Sequence, residues 1–143
     1  MPDLNPAQTL RAAAKLLRER ACAAERDAPA PWTTSQPTGT PAALVLRDAV
    51  DRPLLHGNSG TRSRVPFVTG PVGEYAALMH PGVGLALADW LDSAAREVRS
   101  ATAAAHRVWA NSDDVEARDK WISPRTDQHA LAVARALLGE VTE

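Results

Sequence analysis

The sequence predicts an α+β fold that is mostly helical. Apolar residues recur at steps of three and four before about residue 26 and after residue 72, which is the spacing of one helix face. Short apolar runs bounded by turn residues occur only between about 42 and 69, too few for a large sheet. The 143 residues match one ordinary domain, so we expect a single domain over 1–143. In chain order, we expect an N-terminal helix, a small β-hairpin layer, a short helix, a long helix and a C-terminal helix.

The N-terminal helix is predicted over about residues 6–26. Asn5 can cap it, Pro6 suits the first helical position, and Gln8 can reach back as in a capping box. The prolines that follow Asp27 end it. Its apolar face consists of Leu10, Ala13, Leu17, Ala21 and Ala24.

A Pro/Thr-rich connection, residues 28–41, follows this helix. We expect Trp32 to fold back over the core, because an exposed indole is costly in water; stacking on a ligand is the alternative. Leu44–Leu46 and Pro53–Leu55 then flank a polar turn and predict a short hairpin. Val65–Val68 can supply another short strand.

The pair His80-Pro81 separates two helical patterns. Tyr75, Leu78 and Met79 suit a short helix before it. Pro81 disfavours helical geometry at the preceding residue but is well suited to begin a helix of its own. We therefore expect a corner between two helices, with His80 capping the second.

A long helix is predicted over residues 81–108. It would span about 42 Å, more than the roughly 37 Å diameter of a compact domain of this length. An apolar stripe that leaves the core needs cover, which a symmetry mate often supplies. We therefore predict a homodimer through the distal stripe, which consists of Val98, Ala101, Ala105, Val108 and Trp109. Alternatively, the C-terminal helix folds back along this stripe and buries Leu131 and Leu138 there.

A polar connection, residues 110–123, leads to the last helix and can include a helical turn around Val115. The last helix should begin after Pro124 or Thr126 and end at Gly139. Its buried side is predicted to contain Ala130, Val133, Leu137 and Leu138.

The tryptophans and the single cysteine add further expectations. Trp90 lies on the apolar stripe and should belong to the core. Trp109 and Trp121 bracket the polar connection, and they either pack it onto the helices or form an exposed patch for a partner. Cys22 excludes an internal disulfide, and its Ala-rich surroundings suggest a buried, inert thiol.

Charge and hydropathy exclude several classes of protein. With 16 basic and 17 acidic residues the net charge is −1, which argues against a surface that tracks nucleic acid. We expect no secretory leader, because the first residues show no basic region followed by an apolar one. No apolar stretch approaches the roughly 20 residues that span a bilayer. We therefore expect a cytoplasmic protein without a membrane segment.

The histidines and acidic pairs form no recognisable motif. The histidines lack the close spacing of a metal site. The pairs Asp89/Asp92 and Asp113/Asp114 fit a solvated face better than a catalytic dyad, which requires a low-dielectric setting. We predict no metal, no cofactor and no catalytic residue.

The loop HGNSGTRSR, residues 56–64, is the strongest candidate for ligand binding. Its glycines allow backbone amides to point into a concavity, and its arginines can neutralise a phosphate. It lacks the Gly-Lys-Ser/Thr ending of a P-loop, and an ordinary surface loop is the alternative. The candidate residues for a nucleotide or another phosphate-bearing ligand are His56, Ser59, Arg62 and Arg64.

Two blocks that together cover about half the chain resemble the Ead-like phage early proteins and related uncharacterised actinobacterial and prophage proteins. The first is Ala28–Trp32; the second is Glu74–Pro81 with the Leu-rich helix that follows. The resemblance implies an accessory product of a phage or mobile element, without an assigned catalytic residue. We therefore expect a non-enzymatic interaction or regulatory protein that binds a host protein or a second copy of itself. The alternative is a small-ligand binder that uses loop 57–64.

Overall fold

The computed structural model describes residues 5–36, 43–55, 68–110 and 114–139. The elements in these ranges confirm the α+β, mostly helical class. They are α1 (Pro6–Asp27), β1 (Thr33–Ser35), β2 (Ala43–Arg47), β3 (Val68–Thr69), α2 (Gly70–Leu78), α3 (Pro81–Val108), α4 (Val115–Ile122), a 3-10 turn (Ser123–Arg125) and α5 (Gln128–Leu138). Across these ranges no helix has both the length and the apolar character needed to cross a bilayer.

The chain divides into two compact units. The first consists of Met1–Arg18 and Ala86–Glu143, and the second of Glu19–Leu85. Helices α1 and α3 each contribute residues to both units. The single domain expected over 1–143 remains a prediction.

The core of the first unit is built from α1, α3 and α5, and most of its side chains are alanine. Small side chains let helix backbones approach closely, so the core closes with few large residues. Leu10 and Leu91 are the largest fully buried side chains among the described residues. The cluster consists of Ala7, Leu10, Ala13, Ala14, Leu91, Ala94, Ala95, Val98, Ala130, Leu131 and Ala134.

The ends of α1 and α5 follow the predicted signals. The Asn5 carboxamide accepts from the Gln8 amide at 3.0 Å, and the Gln8 side chain accepts from the Asn5 amide at 3.1 Å, which confirms the capping box. The Asp127 carboxylate accepts from two amides at the start of α5. Gly139 follows α5 with φ 75°, a left-handed conformation that glycine adopts without a steric penalty.

The sheet of the second unit is antiparallel with the order β1-β2-β3. The predicted hairpin is formed only in part: Arg47 and Pro53 make an isolated bridge, and the Leu54 amide donates to the Leu46 carbonyl at 2.9 Å. Pro53 has no amide hydrogen with which to continue a ladder. The neighbour of β2 is instead β1, which lies in the segment predicted as a connection.

The polar connection predicted over 110–123 is more ordered than expected, because it contains the eight-residue helix α4. The Asp114 carboxylate caps this helix by accepting from the Ala117 amide at 2.9 Å. Lys120 and Glu116 form an i,i+4 ion pair at 2.7 Å on its exposed side. Local capping and pairing thus favour a helix where the hydropathy pattern is weak.

Candidate functional site

The loop residues proposed from the sequence, His56, Ser59, Arg62 and Arg64, lie outside the described residues. Ligand binding by loop 57–64 therefore remains a prediction.

The stripe predicted for self-association is largely covered within the chain. Val98, Ala101 and Ala105 are buried, and Val98 shares the core cluster with Leu131. The C-terminal helix thus covers part of the stripe, as in the alternative raised from the sequence. Val108, at the end of the stripe, is 69% exposed.

Trp109 ends the predicted stripe and is half-buried. Its ring lies 6.1 Å from that of Trp121, centroid to centroid, in a tilted arrangement typical of aromatic pairs. The Arg125 guanidinium lies 3.7 Å from the centroid of the Trp121 ring, within range of a cation–π contact. These contacts fasten α4 and the 3-10 turn to the end of α3, as expected if the tryptophans pack the connection onto the helices.

Large apolar side chains lie exposed on one side of α2 and the residue after it. Their exposed fractions are 58% for Val72, 66% for Tyr75, 71% for Leu78 and 41% for Met79. The spacing of three and four places Val72, Tyr75 and Met79 in one row, with Leu78 beside it. We call these four residues the α2 face. The sequence assigned three of them to a short helix but did not reveal that they face solvent.

The opposite side of α2 is fixed against the sheet by Gly73, which is buried. A Cβ atom at this position would lie 2.6 Å from Cγ2 of Val68 and 3.4 Å from Leu44. Only a glycine lets the helix come this close to β2 and β3. The buried side of α2 is therefore narrow, which leaves its larger apolar residues outside.

The corner between α2 and α3 confirms the interpretation of His80-Pro81. Helix α2 ends at Leu78, α3 begins at Pro81, and Nδ1 of His80 accepts from the Gly82 amide at 3.1 Å. The Met79 amide donates to the Tyr75 carbonyl and closes the last turn of α2. The imidazole thus has a structural role, and the corner holds the α2 face in place.

The turn after β2 winds around the carboxylate of Asp48, whose side chain is 1% exposed. It accepts from the amides of Val50 and Arg52 at 3.0 and 2.9 Å, and from the Arg52 guanidinium at 2.7 Å. Burial raises the pKa of Asp48, but these hydrogen bonds outweigh that effect and hold the pKa below its ordinary value. Asp51 adopts φ 64° in the same turn. The satisfied carboxylate is a structural feature of the second unit.

The acidic pair Asp89/Asp92 forms ion pairs with Arg18 of the same unit. The Arg18 guanidinium donates to Asp89 at 2.8 Å and to Asp92 at 2.7 Å. Both hydrogen bonds raise the pKa of Arg18, and the bond to Asp89 has the larger effect. The solvated face predicted for this pair describes Asp89, whose side chain is 77% exposed, better than Asp92, whose side chain is 28% exposed.

Three expectations about single residues are wrong. Leu137, predicted on the buried side of α5, is 37% exposed, because α5 turns Ala130, Leu131 and Ala134 inward. Trp90, expected in the core, is 37% exposed, because α3 turns Ala88 and Leu91 inward at that level. Cys22, expected to be buried, is exposed on α1 beside the buried Ala21. Among the described residues, no group of three or more His, Cys, Asp or Glu side chains is placed to hold a metal ion.

A cleft of about 920 Å³ lies in the first unit, between the second half of α3 and the starts of α1 and α5. Its size falls in the range of small-molecule pockets. Helix α4 and the 3-10 turn form the remaining wall of the cleft. Its apolar lining consists of Ala7, Val98, Ala103, Ile122 and Leu131, and its hydroxyl groups belong to Ser100, Thr102, Ser123 and Thr126.

Helix α3 supplies the cations of this cleft. Arg96, Arg99 and His106 line it, with one carboxylate, Asp119, from α4. Arg96 and Arg99 are exposed and have neither an ion pair nor a side-chain hydrogen bond among the described residues. In the sequence, both arginines fall outside the apolar positions of α3. Their spacing from Ala103 and His106 in the sequence places all four residues on one helix face. It does not show which residues lie opposite that face.

No family model matches the chain, and no curated protein or solved structure matches it either.

Proposed function

We propose that this protein is a non-enzymatic interaction module, an accessory protein of a phage, prophage or mobile element, that acts by binding protein through the α2 face. The observation that carries the proposal is the exposure of Val72, Tyr75, Leu78 and Met79 on a single helix side. Contiguous exposed apolar side chains mark interaction surfaces more often than scattered ones do. The sequence block Glu74–Pro81, which carries the resemblance to phage early proteins, contains three of these residues.

The partner we propose is a second copy of the chain. Helix α2 contains one charged residue, Glu74, and its apolar row is otherwise neutral. Two identical faces of this kind can meet around a two-fold axis without opposing like charges over the contact. Tyrosine is enriched at interface hot spots, and Tyr75 lies in the middle of the row.

The small size of the face sets the expected strength of the pair. A stable interface buries about 800 Å² on each partner, which is more than four side chains on a nine-residue helix provide by themselves. We therefore expect a weak pair with a dissociation constant on the order of micromolar.

Sedimentation velocity on matched variants tests the proposal. Leu78→Glu and Val108→Glu each place a carboxylate at the last residue of a helix, at positions that are 71% and 69% exposed. Both should leave the fold intact, because substitutions at exposed positions rarely change stability by more than about 0.5 kcal/mol. We expect the unmodified chain and Val108→Glu to dimerise with rising concentration, and Leu78→Glu to stay monomeric.

Two outcomes contradict the proposal. One is a 15.2 kDa monomer for the unmodified chain at every concentration up to about a hundred times the micromolar scale expected of the pair. The other is dimerisation that Val108→Glu abolishes and Leu78→Glu does not, which would locate the contact on the distal stripe of α3.

A further inference from the structure

The two arginines of the cleft in the first unit are not bound to a carboxylate in the described part of the chain, unlike the basic residues that form ion pairs there. Arg18, Arg47, Arg52 and Lys120 each face a carboxylate within 4 Å. Arg96 and Arg99 face a cavity instead. Guanidinium groups at the edge of a concave surface, with no carboxylate bound to them, are ready to bind an anion.

The arginines share their face of α3 with two other lining residues. Positions 96, 99, 103 and 106 follow the spacing of three and four, so Ala103 and His106 continue the same row. Asp119 is the carboxylate on the facing wall. Among the described lining residues, two arginines against one aspartate leave a net positive charge before His106 is counted. The balance favours a ligand with at least one negative charge.

The rest of the cleft indicates what the anion is attached to. Ile122 and Leu131 are apolar residues of its lining, and Ser100, Thr102 and Thr126 add hydroxyl groups to it. An inorganic ion would leave most of the 920 Å³ unfilled. An organic body that carries a phosphate fills the volume and meets both kinds of wall.

We propose that this cleft binds a phosphorylated small molecule of nucleoside monophosphate size, with Arg96 and Arg99 holding the phosphate. Arginine suits this role because its planar fork donates two parallel hydrogen bonds to phosphate oxygens. The uncharged body lies against Ile122 and Leu131. The site lies in the first unit and does not depend on the α2 face or on loop 57–64.

Isothermal titration with adenosine 5′-monophosphate, adenosine and inorganic phosphate tests the proposal on the full chain. We expect the monophosphate to bind more tightly than either fragment, because only it engages both walls. The double variant Arg96→Ala/Arg99→Ala should weaken its binding roughly ten- to a hundredfold, the usual effect of losing charge-assisted hydrogen bonds. Repeating the titration with the other common nucleoside monophosphates shows whether the body is selected.

Arg107→Ala is the matched control, since Arg107 is also an exposed arginine of α3 but does not line the cleft. It should bind the monophosphate like the unmodified chain, and so should Leu78→Glu, which separates this proposal from that of the α2 face. Three results overturn the proposal: no binding at millimolar monophosphate, equal binding by the double variant, or equally tight binding of adenosine.

Discussion

The distal stripe of α3 and the α2 face are both apolar rows at helical spacing, yet the protein buries most of the first and exposes the second. The stripe consists largely of alanine and valine; Val98 packs with residues of α1 and α5 in the core of the first unit, and Ala101 and Ala105 are also buried. The α2 face carries valine, tyrosine, leucine and methionine, which remain 41–71% exposed. Helical spacing therefore reveals which side of a helix is apolar, but not whether the chain itself covers that side.

Side-chain size and the elements that pack against each helix explain the difference in burial. Small residues on α3 allow two helices to approach, so the stripe is covered within the chain. Helix α2 meets three strands of three, five and two residues, and Gly73 makes that contact narrow. Among the described residues, the large side chains on its other side lie against no comparable layer and remain exposed. Our proposal is that a partner covers this side.

The largest effect should come from truncating a leucine in the core of the first unit, compared with truncating a leucine on the α2 face. Leu91 is fully buried, so Leu91→Ala removes packed atoms and leaves a cavity, with an expected loss of about 2–5 kcal/mol in the free energy of unfolding. Leu78→Ala should cost no more than about 0.5 kcal/mol at low protein concentration. Urea denaturation measures both, and comparable losses would contradict the contrast between the core of the first unit and the exposed α2 face.

Gly73→Ala should have the next largest effect. The added Cβ would lie 2.6 Å from Cγ2 of Val68, so the helix must move away from the sheet, at a cost of about 1–3 kcal/mol. Val68→Ala removes the obstructing atom, so the double variant should lose less stability than the sum of the two single changes. Thermal unfolding of the unmodified chain, the two single variants and the double variant gives a double-mutant cycle. Strictly additive losses of stability would show that the close contact is absent.

The smallest expected effect concerns the buried carboxylate of Asp48. Its pKa in the folded chain lies below the unfolded value of about 3.9. Its contribution to stability is therefore fully present above that value and is lost as pH falls through the folded pKa. Asp48→Asn keeps an oxygen acceptor but loses the charge, so it should destabilise the chain at pH 7 and less so in acid.

The control for this pH dependence is Asp51→Asn. Asp51 lies in the same turn, its side chain is 85% exposed, and asparagine tolerates its positive φ. Its unfolding free energy should differ little from that of the unmodified chain at either pH. A loss for Asp48→Asn that stays constant from neutral pH into acid would show that the charge of Asp48 does not stabilise the turn.

The features that could be predicted from the sequence depend on local rules. The capping box of α1, the corner at His80-Pro81 and the end of α5 at Gly139 each follow from residues within a few positions of each other. The errors concern what lies beside an element in space. The exposure of Trp90 and the pairing of β1 with β2 depend on contacts between distant segments, which hydropathy spacing does not encode.

The cleft shows the same limit. The row that contains Arg96 and Arg99 is visible in the sequence as a polar side of α3. Its meaning depends on the facing wall, which comes from α4 in a segment predicted as a connection. Residue types on one helix do not distinguish a solvated face from the side of a cavity, and here the arrangement of the first unit makes the difference.

The most direct test of the central claim, that the α2 face is the surface that pairs, uses the only tyrosine of the chain. Replacing it biosynthetically with 3-fluorotyrosine gives a single fluorine resonance at Tyr75, in the middle of the α2 face. We expect this resonance to shift and broaden as the protein concentration rises through the micromolar range, and to stay fixed in the Leu78→Glu variant. A resonance that stays fixed in the unmodified chain across the same range would contradict the claim.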